Sequence, residues 1–225
     1  MGAEPVAILG GTGPQGRGLA LRFARAGTPV VIGSRDGARA IQVADDLGGG
    51  AELPVRGAAN AEAARAADLV FVTVPWEAHE ATLRGLVSEL AGRIVVDVVN
   101  PMIFDERGPF GVPVAEGSAA EQARAILPAS TVVAGFHHVS AKHLPDETGD
   151  VATDILVCGD DAAAKARVMA LADDLPGARA VDAGPLRLSG WLEGMTAVLL
   201  SINREYRTSA GLRLSHLDVS RRRSG

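Results

Sequence analysis

Short, uninterrupted apolar runs alternate along this chain with stretches whose apolar residues recur at a helical period. Val6 to Leu9 is the first such run, Val30-Val31-Ile32 the second, and Leu69 to Val74 and Ile94 to Val99 follow. A strand apolar on both faces belongs inside a parallel sheet covered by helices on each side. After the first run, Leu19, Ala20, Phe23 and Ala24 share a helical face, and Gly27 closes that helix. Leu83, Leu86, Val87 and Leu90 form one apolar face whose opposite side carries Glu80, Arg84 and Glu89. Residues 101–117, rich in Gly and Pro, predict a long loop, and Ser118 with Glu121 makes a capping box for the next helix. Thr131 to Phe136, Ile155 to Val157 and Ala180 to Asp182 are further strands. A last helix gathers Leu188, Trp191, Leu192, Met195, Val198, Leu199 and Ile202 on one stripe.

Strands alternating with amphipathic helices imply crossover units and a doubly wound parallel α/β sheet. The chain divides near residue 140, with residues 1–140 as a dinucleotide-binding part and residues 141–225 as a smaller C-terminal part. The long stripe on the last helix exceeds what that smaller part covers, which predicts a symmetric homodimer burying part of it.

Composition narrows the function. No apolar run approaches the roughly 20 residues that cross a bilayer, and Glu4 with the glycines that follow interrupts any signal-peptide core. The single cysteine, Cys158, excludes an intrachain disulfide and a thiolate metal cluster, so a cytoplasmic protein without a metal site is expected. The net charge of −5 gives no global field for nucleic acid. The Arg221-Arg222-Arg223 run reads as a solvated tail.

Gly11-Thr12-Gly13-Pro14-Gln15-Gly16 fits the GxGxxG pattern, directly after a buried strand and at the opening of a helix. That context makes it a pyrophosphate turn of the Rossmann type, with Gly11 for the tight turn, Gly13 for backbone approach and Gly16 for helix–strand packing. The helix N-terminus adds free N–H groups and a favourable dipole. An NAD-specific site places a carboxylate at the end of the second strand. Here that strand ends Gly33-Ser34-Arg35, with Arg39 four residues on and able to share a helical face with Arg35. Two guanidiniums and a hydroxyl suit the 2′-phosphate of NADP(H), provided that Asp36 turns away.

The chemistry follows by elimination. Carbonyl reduction needs a proton donor, but the only tyrosine, Tyr206, has Ala210 four residues later where a Tyr-x-x-x-Lys pair would need lysine. Lys165 reads as an exposed helix residue and Lys142 as a loop residue. Hydride transfer between two stacked planar rings requires none of these groups, since proximity and orientation supply most of its catalysis.

Five segments occur in order: Ile8-Leu9-Gly10-Gly11-Thr12-Gly13-Pro14-Gln15-Gly16, Val31-Ile32-Gly33-Ser34-Arg35, Thr73-Val74-Pro75-Trp76-Glu77, Gly117-Ser118-Ala119-Ala120-Glu121 and Asp182-Ala183-Gly184-Pro185-Leu186. Together they resemble the NADPH-dependent reductases of coenzyme F420, from Val6 to about Leu214. The resemblance implies reversible hydride transfer between nicotinamide C4 and C5 of the 8-hydroxy-5-deazaflavin. It assigns Thr12, Gly13, Pro14 and Gln15 to the pyrophosphate, and Ser34, Arg35 and Arg39 to the 2′-phosphate. It places Val74, Pro75 and Asn100 at the carboxyl edge of the sheet, where ligands bind, and the backbone near Ala141 against the nicotinamide. Asn100-Pro101 departs from the family's pattern. His137 and His138 are candidate catalytic residues that steady charge on the reduced deazaflavin or donate to its carbonyl oxygens; the alternative is a pocket-wall histidine. Trp76 and Trp191 are either deazaflavin-flanking or core, and Cys158 reads as inert. Two rival readings remain, an NADP-dependent reductase of a small imine or ketone and a non-catalytic NADP(H) sensor.

Overall fold

The computed structural model describes residues 4–48, 53–145 and 149–221. Arg222 and Arg223 of the basic tail lie outside them. The first half builds five strands in alternation with helices: β1 (Val6–Leu9), α1 (Pro14–Arg25), β2 (Val30–Ser34), α2 (Gly37–Asp46), β3 (Val55–Ala59), α3 (Asn60–Arg65), β4 (Leu69–Val72), α4 (Trp76–Arg84), α5 (Val87–Leu90) and β5 (Ile94–Asp97). A hairpin of β6 (Met102–Asp105) and β7 (Gly108–Gly111) precedes α6 (Ala119–Ile126) and β8 (Thr131–Gly135). The chain ends with β9 (Asp154–Gly159), α7 (Ala162–Asp173), β10 (Arg179–Gly184) and α8 (Ser189–Tyr206).

Eight strands make one sheet in the order β10-β9-β8-β5-β4-β1-β2-β3. All neighbours are parallel except β8 and β9. The runs predicted as doubly buried are so: every residue of β1, β2 and β4 is buried. Helices α1, α2 and α7 cover one face around Phe23, Phe71 and Phe136, whose ring centroids lie 5.1–6.0 Å apart. The other face packs Leu83 of α4, Ala123 of α6 and Leu192 of α8. Residues 141–225 supply β9, β10, α7 and α8, so the expected division at residue 140 falls in the turn between β8 and β9, within one continuous sheet.

Four elements depart from expectation. β3 carries too few branched or aromatic residues to announce itself; its signal is Gly57, where a Cβ would stand 2.2 Å from the backbone of Ala40, so only glycine lets α2 lie this close. The helix expected through Leu83 and Leu90 breaks at Gly85-Leu86 into α4 and α5. The expected loop 101–117 contains the β6–β7 hairpin, turned by Asp105, whose carboxylate accepts from the N–H groups of Arg107 and Gly108. The stripe on α8 is split: Leu192 and Leu199 are buried, whereas Trp191, Met195, Val198 and Ile202 face outward. Among the described residues no helix is long and apolar enough to cross a membrane.

Candidate functional site

The carboxyl ends of β1, β2, β4, β5 and β8 open onto two adjoining cavities. The first, of about 460 Å³, is lined by Gly10, Thr12 to Gln15, Ser34 to Asp36, Arg39, Asn60 and Thr73 to Pro75. The second is lined by Gln15, Thr73 to Trp76, Val98 to Asn100 and His137. They share Gln15, Thr73, Val74 and Pro75, and so form one cleft.

The glycines of the turn divide the work as their surroundings require. A Cβ at Gly16 would lie 2.5 Å from Gly11 Cα and 2.7 Å from Thr73 Oγ1, so Gly16 lets α1 meet β1 and β4. Gly11 is buried beneath the turn, and a Cβ there would stand 2.7 Å from the carbonyl of Ile8. The left-handed residue is Gly10, with φ of 73°. Gly13 sits at φ −80° as the N-cap of α1, a conformation open to any residue. What its missing side chain provides is access. No side chain caps this helix end and no carboxylate occupies its first turn, which leaves its N–H groups for an anion.

Ser34, Arg35 and Arg39 line the far end of the same cavity. Arg35 precedes α2 rather than lying on it, so the two arginines converge from a loop and a helix instead of one helical face. Asp36 resolves its own conflict. It is the N-cap of α2, its carboxylate accepting from Arg39 N at 3.2 Å, while its own N–H donates to Ser34 Oγ at 3.2 Å.

Three residues that line the cleft hold buried polar atoms with no hydrogen-bond partner of normal geometry: Gln15 Nε2, Asn60 Oδ1 and both ring nitrogens of His137. Buried polar groups are rarely left so. Burial, with repulsion from His138, pushes the His137 pKa down to about 4 against the opposing pull of Asp97, Val98 and Val99, so its ring is neutral at physiological pH.

His137 and His138 diverge. Phe136 adopts a left-handed φ of 63°, held by its packing on Phe23 and Phe71, and this turns the chain as it leaves β8. His137 then enters the cleft. Its carbonyl accepts from Asn100 Nδ2 and from Thr196 Oγ1 on α8, each at 3.0 Å. His138 instead donates from Nε2 to the Asp154 carbonyl at 2.6 Å and lines a separate cavity with Ser140, His143 and Thr153. Ala141 is half-buried just beyond Ser140 and is not among the residues that line the cleft. Arg22 of α1 seats this segment from below, donating to the carbonyls of Leu144 and His143 at 2.7 and 3.0 Å.

Trp76 lines the cleft, whereas Trp191 is 78% exposed on α8 and flanks nothing there. Lys165 is buried rather than exposed. It pairs with Asp182 at 2.7 Å, far from a proton-donor role. Burial pushes the Cys158 thiol up to about 11, which keeps it inert.

Sequence reasoning passed over Asn60, Thr196 and a buried group behind the cleft wall. His79 of α4 contacts Asp97 at 2.7 Å and Gln122 at 3.0 Å, and Glu193 of α8 accepts from the N–H groups of Ala119 and Ala120 at the start of α6. Asp97 left one signal, a lone carboxylate inside the apolar run Ile94 to Val99.

Comparison with known proteins agrees with this geometry. The family profile of coenzyme F420-dependent NADP oxidoreductases matches residues 5–101. The F420-dependent NADP reductase of Methanothermobacter marburgensis is 38% identical over 94% of this chain and 98% of its own length. That of Methanocaldococcus jannaschii is 37% identical over 95% of this chain and 99% of its own. The solved structure of a proposed F420-dependent NADP reductase from Arthrobacter sp. FB24 superposes with a TM-score of 0.81 at 27% identity, over 96% of this chain and all of that one. Identity of this extent, over nearly the whole of the chain and of its relatives, places the protein in the family of coenzyme F420-dependent NADP oxidoreductases.

Proposed function

We infer that this protein transfers a hydride between NADPH and the deazaflavin coenzyme F420, in either direction. The observation that carries the reading is the single cleft, which runs from the Arg35–Arg39 end past the α1 N-terminus to the pocket of Trp76, Asn100 and His137. When bound, the nicotinamide and the deazaflavin supply the redox chemistry themselves. The chain's contribution is placement. Arg35, Arg39 and Ser34 bind the 2′-phosphate, and Thr12, Gly13, Pro14 and Gln15 hold the pyrophosphate on the helix N-terminus. Val74, Pro75 and Asn100 wall the nicotinamide end. His137, neutral, offers a hydrogen bond to a ring carbonyl without a proton-transfer role.

His138, a candidate by its chemistry, and Ala141, assigned by resemblance, gain no support from their placement. The residues beyond 140 are proposed to complete the deazaflavin pocket, through Thr196 of α8. A cytoplasmic setting belongs to the same proposal and is consistent with a single, buried, free cysteine. So does a homodimer. Trp191, Met195, Val198 and Ile202 on α8 stand exposed beside Ile103, Phe104 and Phe110 of the hairpin that packs on that helix, an apolar area suited to a self-complementary interface.

Mixing the protein with NADPH and oxidised F420 tests the reading. Loss of the deazaflavin's visible absorbance is expected without added flavin. Tight NADPH binding with no change in that band would favour a sensor instead.

A further inference from the structure

We propose that His79 is a positioning residue for hydride transfer: held between Gln122 and Asp97, it fixes the end of β5 and thereby sets where Asn100 and His137 stand in the cleft. The proposal rests on the functional reading above.

The hydrogen-bond geometry bears on the state of the ring. Gln122 Nε2 points to the carboxylate of Glu116 at 3.4 Å, which leaves Gln122 Oε1 facing His79 Nδ1 at 3.0 Å. Asp97 Oδ2 faces His79 Nε2 at 2.7 Å. With the amide in this orientation an acceptor faces each nitrogen, an arrangement that favours the doubly protonated ring. Burial opposes that charge, but the hydrogen bond and charge of Asp97, the hydrogen bond of Gln122 and the charge of Glu193 outweigh it and hold the pKa above its ordinary value. His79 and Asp97 are both fully buried, so the pair is shielded from water and sharply oriented.

The pair meets the cleft wall at two places, and one is Trp76, whose ring centroid lies 5.6 Å from that of His79. Asp97 Oδ1 accepts from Val99 N at 3.0 Å, which pins the turn that leaves β5. Asn100 comes next and grips the His137 carbonyl, as does Thr196. Glu193 lies three residues before Thr196 on α8 and therefore on the same side of the helix. It holds the first N–H groups of α6, the helix that carries Gln122. The contacts close a ring through α6, α4, β5, the end of β8 and α8 around one wall of the cleft. Neither His79, Asp97 nor Glu193 lines that cleft, so each acts only through its neighbours. Hydride transfer is sensitive to such placement, because small changes in donor–acceptor distance cost large factors in rate.

The test uses the full-length protein with His79→Ala, His79→Gln and Gln122→Leu. For each, the NADPH dissociation constant, kcat with F420, and the temperature dependence of the deuterium isotope effect from C4-labelled NADPH are measured. His79→Ala should lower kcat by about tenfold and make the isotope effect more temperature-dependent, with NADPH affinity within about twofold of wild type. His79→Gln, which keeps a donor for Asp97, should recover most of the rate. Gln122→Leu, at a half-buried position, should show a smaller change of the same kind. Unchanged kcat and isotope effect in Gln122→Leu and in whichever His79 variants fold would overturn the proposal, as would a rate loss matched by an equal loss of NADPH affinity. A wild-type protein unable to turn over would overturn the functional reading as well.

Discussion

Arg35 and Arg39, which line one end of the cleft, are the residues proposed to carry the choice of nucleotide, a reading that rests on a strand end without a carboxylate. Charge-assisted hydrogen bonds are worth roughly 1.5–3 kcal/mol each, so replacing both arginines by Ala should raise KM for NADPH by about a hundredfold or more. KM for NADH should move little, and kcat at saturation should be nearly kept. Steady-state kinetics with both nucleotides checks this; a preserved preference for NADPH would remove the assignment. What the sequence did not disclose at this scale is direction. His137 and His138 are adjacent letters, but the left-handed Phe136 between them and β8 sends one into the cleft and the other against Asp154. Such a turn depends on three aromatic rings brought together from α1, β4 and the residue that follows β8, which no local pattern records.

At the scale of elements, the helices and strands with strong periodicity were readable, and the failures have physical causes. β3 forms because α2 presses on Gly57, and the β6–β7 hairpin forms because α8 backs it; both are tertiary effects acting on weak local preferences. The junction of β1 and α1 makes a specific prediction. Gly13→Val should fold normally, because φ at this position suits any residue and its nearest neighbour to an added Cβ is 3.5 Å away. Its branched side chain should block the pyrophosphate, so calorimetry should find NADPH binding weakened by at least about a hundredfold. Near-normal affinity in a folded variant would dismiss the turn as a phosphate site.

The junction of α6 and α8 makes another. Burial pushes the Glu193 pKa up to about 7; Asp97 adds to the rise, and the N–H groups of Ala119 and Ala120 and the charge of His79 oppose it. A carboxyl whose folded pKa is raised binds its proton more tightly in the native state. Its stabilisation is complete below the unfolded value of 4.5 and is lost as pH rises through about 7. Because buried His137, with its pKa lowered to about 4, contributes in the opposite sense, the contribution of Glu193 is read as a difference: between about pH 5 and pH 8 the Tm of Glu193→Gln should rise relative to that of the wild type as pH increases. Equal slopes in the two proteins would contradict the assignment.

The whole molecule was legible as a doubly wound sheet, but its closure was not. The sequence suggests a smaller appendage after residue 140; the structure adds β9 antiparallel to β8 and continues one sheet. Asp154 anchors that extension. It is fully buried, with Arg179 at 2.5 Å, Arg213 at 3.0 Å and Leu214 N at 2.7 Å, so the C-terminal strap is tied to β9 and β10. On α8 the exposed Trp191, Met195, Val198 and Ile202 should be covered in a dimer, and light scattering at micromolar concentration should give about twice the chain mass of 23.1 kDa. A monomeric mass would show that this face serves another purpose.

The central claim is that one cleft brings two hydride carriers face to face, with the protein supplying position rather than a proton donor or an intermediate carrier. Direct transfer requires the reacting carbons to approach within about 3–3.5 Å. The most direct measurement is single-turnover transfer from NADPH carrying deuterium at the reacting C4 position, followed by analysis of the reduced F420. The deuterium is expected at C5 of the deazaflavin, with no flavin added and none of the label in solvent. Label recovered in water, or turnover that depends on an added flavin, would contradict direct transfer.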